Sequence, residues 1–252
     1  MIADKPDVLW VMPRCWGLPN ASPFVMKLQT WLRMAEVPHE TKELTRPPRS
    51  PSGKVPYLER PDGTLLCDTA RIIALLTDER SVQLDVGRTA EERAKAVLLT
   101  RLLEDHLYWV ICWSRFGRDE GWVVTREAYF GGLPALLRPV VATMVRRQLR
   151  RDLAGQGFGR MGEEAWIWDR GVEDLEALAT LLGDGEFFLG DAPRGIDATA
   201  FGFLANLRWA PIPSPVRDSL LATANLMRFT DRMRERYWAG DMLMVATAGP
   251  QS

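Results

Sequence analysis

The chain has 252 residues, a formal net charge of -1 and 46% hydrophobic residues. That length suffices for one large domain or two small ones with a buried core, and the balance of charge excludes an overall field that would draw nucleic acid or acidic lipid. Asp4, Lys5 and Asp7 interrupt the start before an apolar leader core could form, and no apolar run approaches the roughly 20 residues of a spanning helix, so neither a secretory leader nor a membrane span is expected.

The three cysteines, Cys15, Cys67 and Cys112, are far apart and odd in number. They predict no disulfide framework, and a reducing cytoplasm is the expected setting. His39 and His106 have no Cys or His at ligand spacing, so no metal site is expected.

Strands alternate with helices over the first eighty residues. "DVLWVMP" is a short apolar strand. Residues 22–36 carry Phe24, Leu28, Trp31, Leu32 and Ala35 at helical spacing, and Pro38 stops that helix. "HETKEL" alternates as a second strand, and the three prolines of "TRPPRSPSG" predict an irregular loop. Residues 55–59 and 64–67 are two strands around the Asp62-Gly63 turn, and residues 68–78 form a helix with Ile72, Ile73, Leu75 and Leu76. The order β-α-β-loop-β-β-α is the thioredoxin arrangement.

After residue 80 the pattern predicts helices alone. "SVQLDVGRT" reads as a linker, followed by helices at 89–113, 131–154, 163–182, 197–209 and 214–238 with Gly- and Pro-rich separators. The predicted organisation is an α/β domain over residues 1–80, a linker over 81–88 and an all-helical domain over 89–252.

Three short segments bear on chemistry. Ser22 precedes Pro23 at a helix start, which suits a cap. The same hydroxyl can accept an N–H and still donate its proton to a sulfur. A free thiol has a pKa of about 8.5, and one charge-assisted hydrogen bond plus a helix N-terminus supplies the ~2.7 kcal/mol needed to lower it by ~2 units. Val55-Pro56 opens a strand, where a cis bond would turn the Val55 backbone outward to pair with a peptide-like ligand. Asp68 and Thr69 begin another helix; they are either simple caps or a grip on an amino-acid end, Asp68 taking the ammonium and Thr69 with the helix N–H groups taking the carboxylate.

"SPFVMKL", "GKVPYL" and "DTARII" together resemble the cytosolic glutathione transferases. "SPFVMKLQTWLRMAEVPHE", "LLEDHLYWVICWSR" and "FFLGDAPRGIDATAFGFLA" are similar to the failed-axon-connections and metaxin-like branch. The resemblance implies a thioredoxin-like N-terminal domain, an all-α C-terminal domain and glutathione as co-substrate. Ser22 would stabilise the thiolate, Val55 and Pro56 would pair with the cysteinyl backbone, and Asp68 and Thr69 would hold the γ-glutamyl end. Ser22 and Val25 stand where glutaredoxin-type relatives carry cysteines, which argues against disulfide exchange. Arg194 stands where a Ser or Thr is expected three residues before Asp197, which predicts a looser helix start. A homodimer is expected from the resemblance alone.

A second, electrophilic substrate is expected against "DHLYWVICWSRF". Trp109 and Trp113 share a helical face and His106 lies three residues before Trp109. These residues are either core or a flat apolar wall with His106 or Tyr108 as polar handle. "RRQLRR", with Arg146, Arg147, Arg150 and Arg151, reads as a solvated basic face that could alternatively hold an anionic substrate or a partner. The functional expectation is a glutathione-dependent transferase or isomerase; the alternative is a non-catalytic interaction protein of the metaxin type.

Overall fold

The computed structural model describes residues 5–160 and 164–242. The remaining parts of the predicted domains, including Glu163 at the start of one predicted helix, lie outside the described residues.

β1 (Asp7–Val11) and β2 (His39–Glu43) are parallel and joined by α1 (Pro23–Met34). β3 (Tyr57–Glu59) pairs antiparallel with β1, and β4 (Leu65–Cys67) pairs antiparallel with β3. The sheet order is β2-β1-β3-β4, and α2 (Thr69–Arg80) follows. This is the expected thioredoxin-like order. Leu9 and Val11 of β1 are buried, and α1 is buried along nearly its whole length, because the sheet covers one side and a helix of the second domain the other.

The helical part begins with α3 (Ala90–Arg101), opened by a capping box in which Thr89 and Glu92 satisfy each other's backbone N–H groups. The path continues without a break through π-helical turns at Leu102–Leu107, a short α4 (Tyr108–Cys112) and further π-helical turns at Trp113–Gly117. The predicted helix ending at residue 113 therefore reaches Gly117, and its wider turns re-aim the side chains that follow them.

α5 (Asp119–Phe130) has no counterpart among the predicted helices, and α6 (Arg138–Gly155) starts at Arg138 rather than at Gly131. α5 is anchored by Trp122 and Phe130 in a second apolar cluster with Phe116, Cys112, Ala142 and Leu153. α7 (Glu164–Leu182) and α8 (Gly195–Arg208) match expectation closely. The predicted helix over 214–238 is two: α9 (Pro215–Ala222) and α10 (Ala224–Trp238), separated by Thr223 in an extended conformation.

The start of α8 corrects one expectation. Fully buried Asp197 accepts from the backbone N–H groups of Phe188 at 2.9 Å and Arg194 at 2.7 Å. The missing Ser or Thr is replaced from outside the helix: Asp85, in the linker, accepts from Gly195 N at 3.1 Å. Arg194 in turn donates to the Leu84 and Val86 carbonyls at 2.9 and 3.1 Å. The helix start is thus tied to the linker rather than loosened.

The two parts share one apolar core that runs from β1 and α1 into α8. α8 approaches α1 closely because position 202 is glycine; a Cβ there would lie 2.7 Å from the Lys27 nitrogen and the Pro23 oxygen. Across the same interface Lys27 pairs with Glu104 at 2.5 Å, with side chains 5% and 14% exposed. Trp238 of α10 donates to Thr30 at 3.0 Å, and the Arg33 guanidinium lies 3.8 Å from the centre of the Trp238 ring.

Candidate functional site

The strand register brings three segments to one end of the sheet. Trp10 faces Tyr57 and Tyr57 faces Cys67 across β1, β3 and β4. From that row the chain leaves β1 toward Ser22, enters β3 from Pro56 and leaves β4 into Asp68.

Ser22 is half-buried and extended at φ -93 and ψ 120, and its Oγ accepts from Val25 N at 3.4 Å as the cap of α1. Pro23 takes the first helical position, where no N–H is needed. The Ser22 N–H donates to the Asn20 side chain at 3.0 Å, and fully buried Asn20 is itself tied to the Met12 carbonyl at 2.6 Å. The hydroxyl proton remains available to an acceptor beyond the helix end.

The helical domain holds this segment from the other side. Going toward the start of α1, Lys27 meets Glu104, Phe24 packs edge-on against Tyr108 at 5.1 Å, and the Ala21 carbonyl accepts from Arg115 at 2.5 Å. Arg115 is only 3% exposed. It also donates to the Tyr129 hydroxyl at 3.2 Å and to the backbone and side-chain oxygens of Asn206, both at 3.0 Å. Its guanidinium carbon lies 5.1 Å from the centre of the Trp16 ring. Asn206 then donates to the Asn20 carbonyl at 3.4 Å. Arg115, Asn206, Tyr129, Trp16 and Asn20 were not singled out from the sequence. The spacing of Glu104, Tyr108 and Arg115, close to whole helical turns, is the signal that links Arg115 to the face toward α1.

The Val55-Pro56 bond is cis, with Pro56 buried and Val55 half-buried. Asp68 is exposed at φ 71, in the region that favours glycine, and its Oδ1 accepts from Ala70 N at 2.9 Å and Arg71 N at 3.1 Å. It is thus a cap of α2, and a ligand carboxylate reaching those N–H groups has to share them with Asp68. Thr69, the first residue of α2, is buried.

Of the four residues expected to line a second-substrate wall, Tyr108, Trp109 and Trp113 all pack against the second apolar cluster, and the His106 ring lies 6.0 Å from that of Phe158, which packs there as well. Tyr108 faces α1 and α8, against Phe24 and Phe203. Trp109 packs against Tyr108 at 5.1 Å and joins the second apolar cluster. Trp113 is half-buried beneath Gly117 and Gly159, where any Cβ would collide with its ring. His106 turns to α7, its Nδ1 lying 2.5 Å from Asp174 Oδ2. Among the described residues, Tyr108 is the one of the four whose ring meets an aromatic ring of α1, that of Phe24.

Burial pushes the Cys15 and Cys112 thiols up to about 11, with Arg115 pulling the other way, so neither is a ready nucleophile at neutral pH. The Cys112 sulfur and burial likewise push the Tyr108 phenol up. In the basic segment, Arg147, Arg150 and Arg151 are exposed, but Arg146 is not part of a solvated face. It donates to the Phe116 and Arg118 carbonyls at 3.0 and 3.2 Å and lies over Trp122 at 5.1 Å. A shallow cavity of about 650 Å³ beside Val140, Met144, Arg147 and Arg151 is on α6, away from Ser22.

Fold and site define a thioredoxin-like domain carrying a Ser-capped helix, a cis-proline strand and a helical partner domain. Two family models match: the glutathione S-transferase N-terminal domain over residues 23–121, and the glutathione S-transferase C-terminal domain over residues 171–233. The chain is 31% identical over 234 residues to isoprene-epoxide–glutathione S-transferase of Rhodococcus sp. (strain AD45), covering 88% of this chain and 95% of that one. It is 31% identical to Failed axon connections of Drosophila melanogaster, covering 87% of this chain and 55% of that one, and 31% identical to Metaxin-1 of Bos taurus, covering 89% and 74%. The chain belongs to the glutathione S-transferase superfamily, in its metaxin-like branch. Among solved structures, a glutathione S-transferase of Methylobacterium radiotolerans in complex with glutathione sulfonate has the same fold, with a TM-score of 0.59, 20% identity and coverage of 98% and 99%. No helix among the described residues is long and apolar enough to cross a membrane.

Proposed function

We propose that this chain binds glutathione across the end of its small sheet and that Ser22 donates a hydrogen bond to the thiolate, which attacks a small apolar or aromatic electrophile. The observation that carries this reading is the row Trp10, Tyr57, Cys67, which sets Ser22, the cis Val55-Pro56 bond and Asp68-Thr69 at one end of one sheet. Val55 would pair with the cysteinyl backbone, and Asp68 and Thr69 would hold the γ-glutamyl end. The Rhodococcus relative is named for an epoxide of isoprene, which supports a strained, weakly polar electrophile. With an epoxide, the sulfur–carbon bond forms as the carbon–oxygen bond breaks, and the alkoxide takes a proton from water. Tyr108, and the neighbouring Trp109, Trp113 and His106, belong to this reading as candidate pocket residues.

The test is retention on immobilised glutathione together with the thiolate absorbance of bound glutathione. We expect both in the unaltered protein, and loss of the absorbance in Ser22→Ala. No binding at millimolar glutathione would sink the reading. A second reading, a non-catalytic interaction protein, is favoured by the likeness to Metaxin-1 and Failed axon connections, neither of them named for a transferase reaction. Stable co-purification with a protein partner and no glutathione binding would select it. Homodimerisation and a cytoplasmic location belong to the proposal as well, to be read by sedimentation and by fractionation.

A further inference from the structure

Arg115 is a buried cation without a buried anion. Its hydrogen-bond partners are two backbone carbonyls, one amide oxygen and one phenol, and among the described residues no carboxylate pairs with it. Neutral acceptors satisfy its hydrogen bonds but leave its charge uncompensated, which is costly in a low-dielectric site. The titratable groups around it do not help. Burial pushes Cys15 of the β1–α1 loop, Cys112 of α4 and Tyr129 of α5 upward, and Tyr108 is raised too, so all four are neutral at pH 7. Further along α1, Lys27 and Glu104 cancel each other. The cation sits one peptide unit from Ser22, at the N-terminus of α1, where the helix adds positive potential of its own.

We propose that Arg115 is a positioning residue for thiolate formation: it fixes the Ala21–Ser22 peptide through the Ala21 carbonyl, and its charge awaits the glutathione sulfur anion as counter-ion. This rests on the proposed binding of glutathione at Ser22. On binding, the thiol S–H bond breaks, the proton leaves to solvent and the electron pair stays on sulfur. The helical domain then contributes to ionisation as well as to the electrophile pocket.

The experiment titrates the thiolate absorbance of bound glutathione against pH in the unaltered protein, Ser22→Ala, Arg115→Met and Arg115→Lys, with circular dichroism as the check on folding. Arg115→Met should raise the midpoint by about one unit or more, a loss of about tenfold in thiolate at a pH below both midpoints. Arg115→Lys, which keeps the charge, should recover more than half of that shift; a purely structural arginine would show no such rescue. An unchanged midpoint in folded Arg115→Met overturns the proposal while leaving the Ser22 reading intact. No bound thiolate in the unaltered protein overturns both. Should Arg115→Met not fold, calorimetry on the unaltered protein decides. Glutathione sulfonate should bind about tenfold or more tightly than S-methylglutathione at pH 7, because an uncompensated cation favours the charged sulfur group. Equal affinities would overturn the proposal.

Discussion

Two helix starts meet at the same end of the sheet, and they are built in opposite ways. At α1 the segment Asn20-Ala21-Ser22 is held by buried groups from the second domain, Asn206 on the Asn20 carbonyl and Arg115 on the Ala21 carbonyl, and braced within itself by the Asn20 side chain on the Ser22 N–H. At α2 the exposed Asp68 caps its own helix with bonds to Ala70 and Arg71 alone. The first start is rigid because a second domain encloses it. The second is local and open to water. A site that ionises a thiol needs the first kind, since a preorganised field acts without reorganisation, whereas grip on a charged, solvated amino-acid end is served by the second.

The sharpest way to break this contrast is to disturb the enclosure. Lys27→Met leaves the half-buried Glu104 carboxylate unpaired, and should cost about 2–3 kcal/mol of stability in urea unfolding. The double variant Lys27→Met with Glu104→Met should regain most of it. A single variant within about 1 kcal/mol of the parent would mean that the interface is wetter than its burial implies. Gly202→Ala should cost about 1–3 kcal/mol, because the added Cβ meets the α1 backbone rather than a flexible side-chain end. It should also lower thiolate formation more than glutathione binding, as α1 shifts away from α8.

The third helix start, α8, adds a pH test. Burial pushes the Asp197 carboxyl up to about 6 from its ordinary 3.8. The folded state therefore holds this proton more tightly than the unfolded state. The resulting stabilisation is fully present below the unfolded value and is lost as pH rises through about 6. At one pKa unit per 1.36 kcal/mol, the change is at most about 3 kcal/mol. Unfolding free energy measured from pH 4 to pH 7 should show this component in the unaltered protein and lack it in Asp197→Asn; identical slopes would refute it. The smallest effect is expected at α2. Asp68→Ala should cost about 1 kcal/mol as a lost cap, and should raise KM for glutathione with little change in kcat. A fall in kcat equal to that at Ser22 would erase the contrast between the two helix starts.

The strands, α1 and α2 were legible because each announces itself locally. A short apolar run marks β1, Asp62-Gly63 marks the hairpin, and Ser22-Pro23 marks a helix start. α5 was not legible. Its Gly121 reads as a breaker, yet a Cβ at that position would lie 1.7 Å from the Ser114 oxygen, so the helix can seat itself there only with glycine. Val123, Val124 and Thr125 further weaken the helical signal, and tertiary packing of Trp122 and Phe130 overrides it. The π-helical turns left no mark in "LLEDHL", so the widened helical path there could not be read from regular spacing. Arg115 escaped notice for a different reason. Its partners are mainly carbonyls of residues distant in the chain, and every sequence offers carbonyls everywhere.

Gly202 has a consequence for how such a protein can be recombined. Because backbone meets backbone between α1 and α8, and Asn206 reaches Asn20 one helical turn further on, the start of α1 takes its shape from residues nearly two hundred positions away. The thioredoxin-like half is therefore not a portable cassette. A chimera that joins it to another family member's helices would inherit the sheet intact, but the serine segment would have to be rebuilt by whatever residues the new half places opposite it.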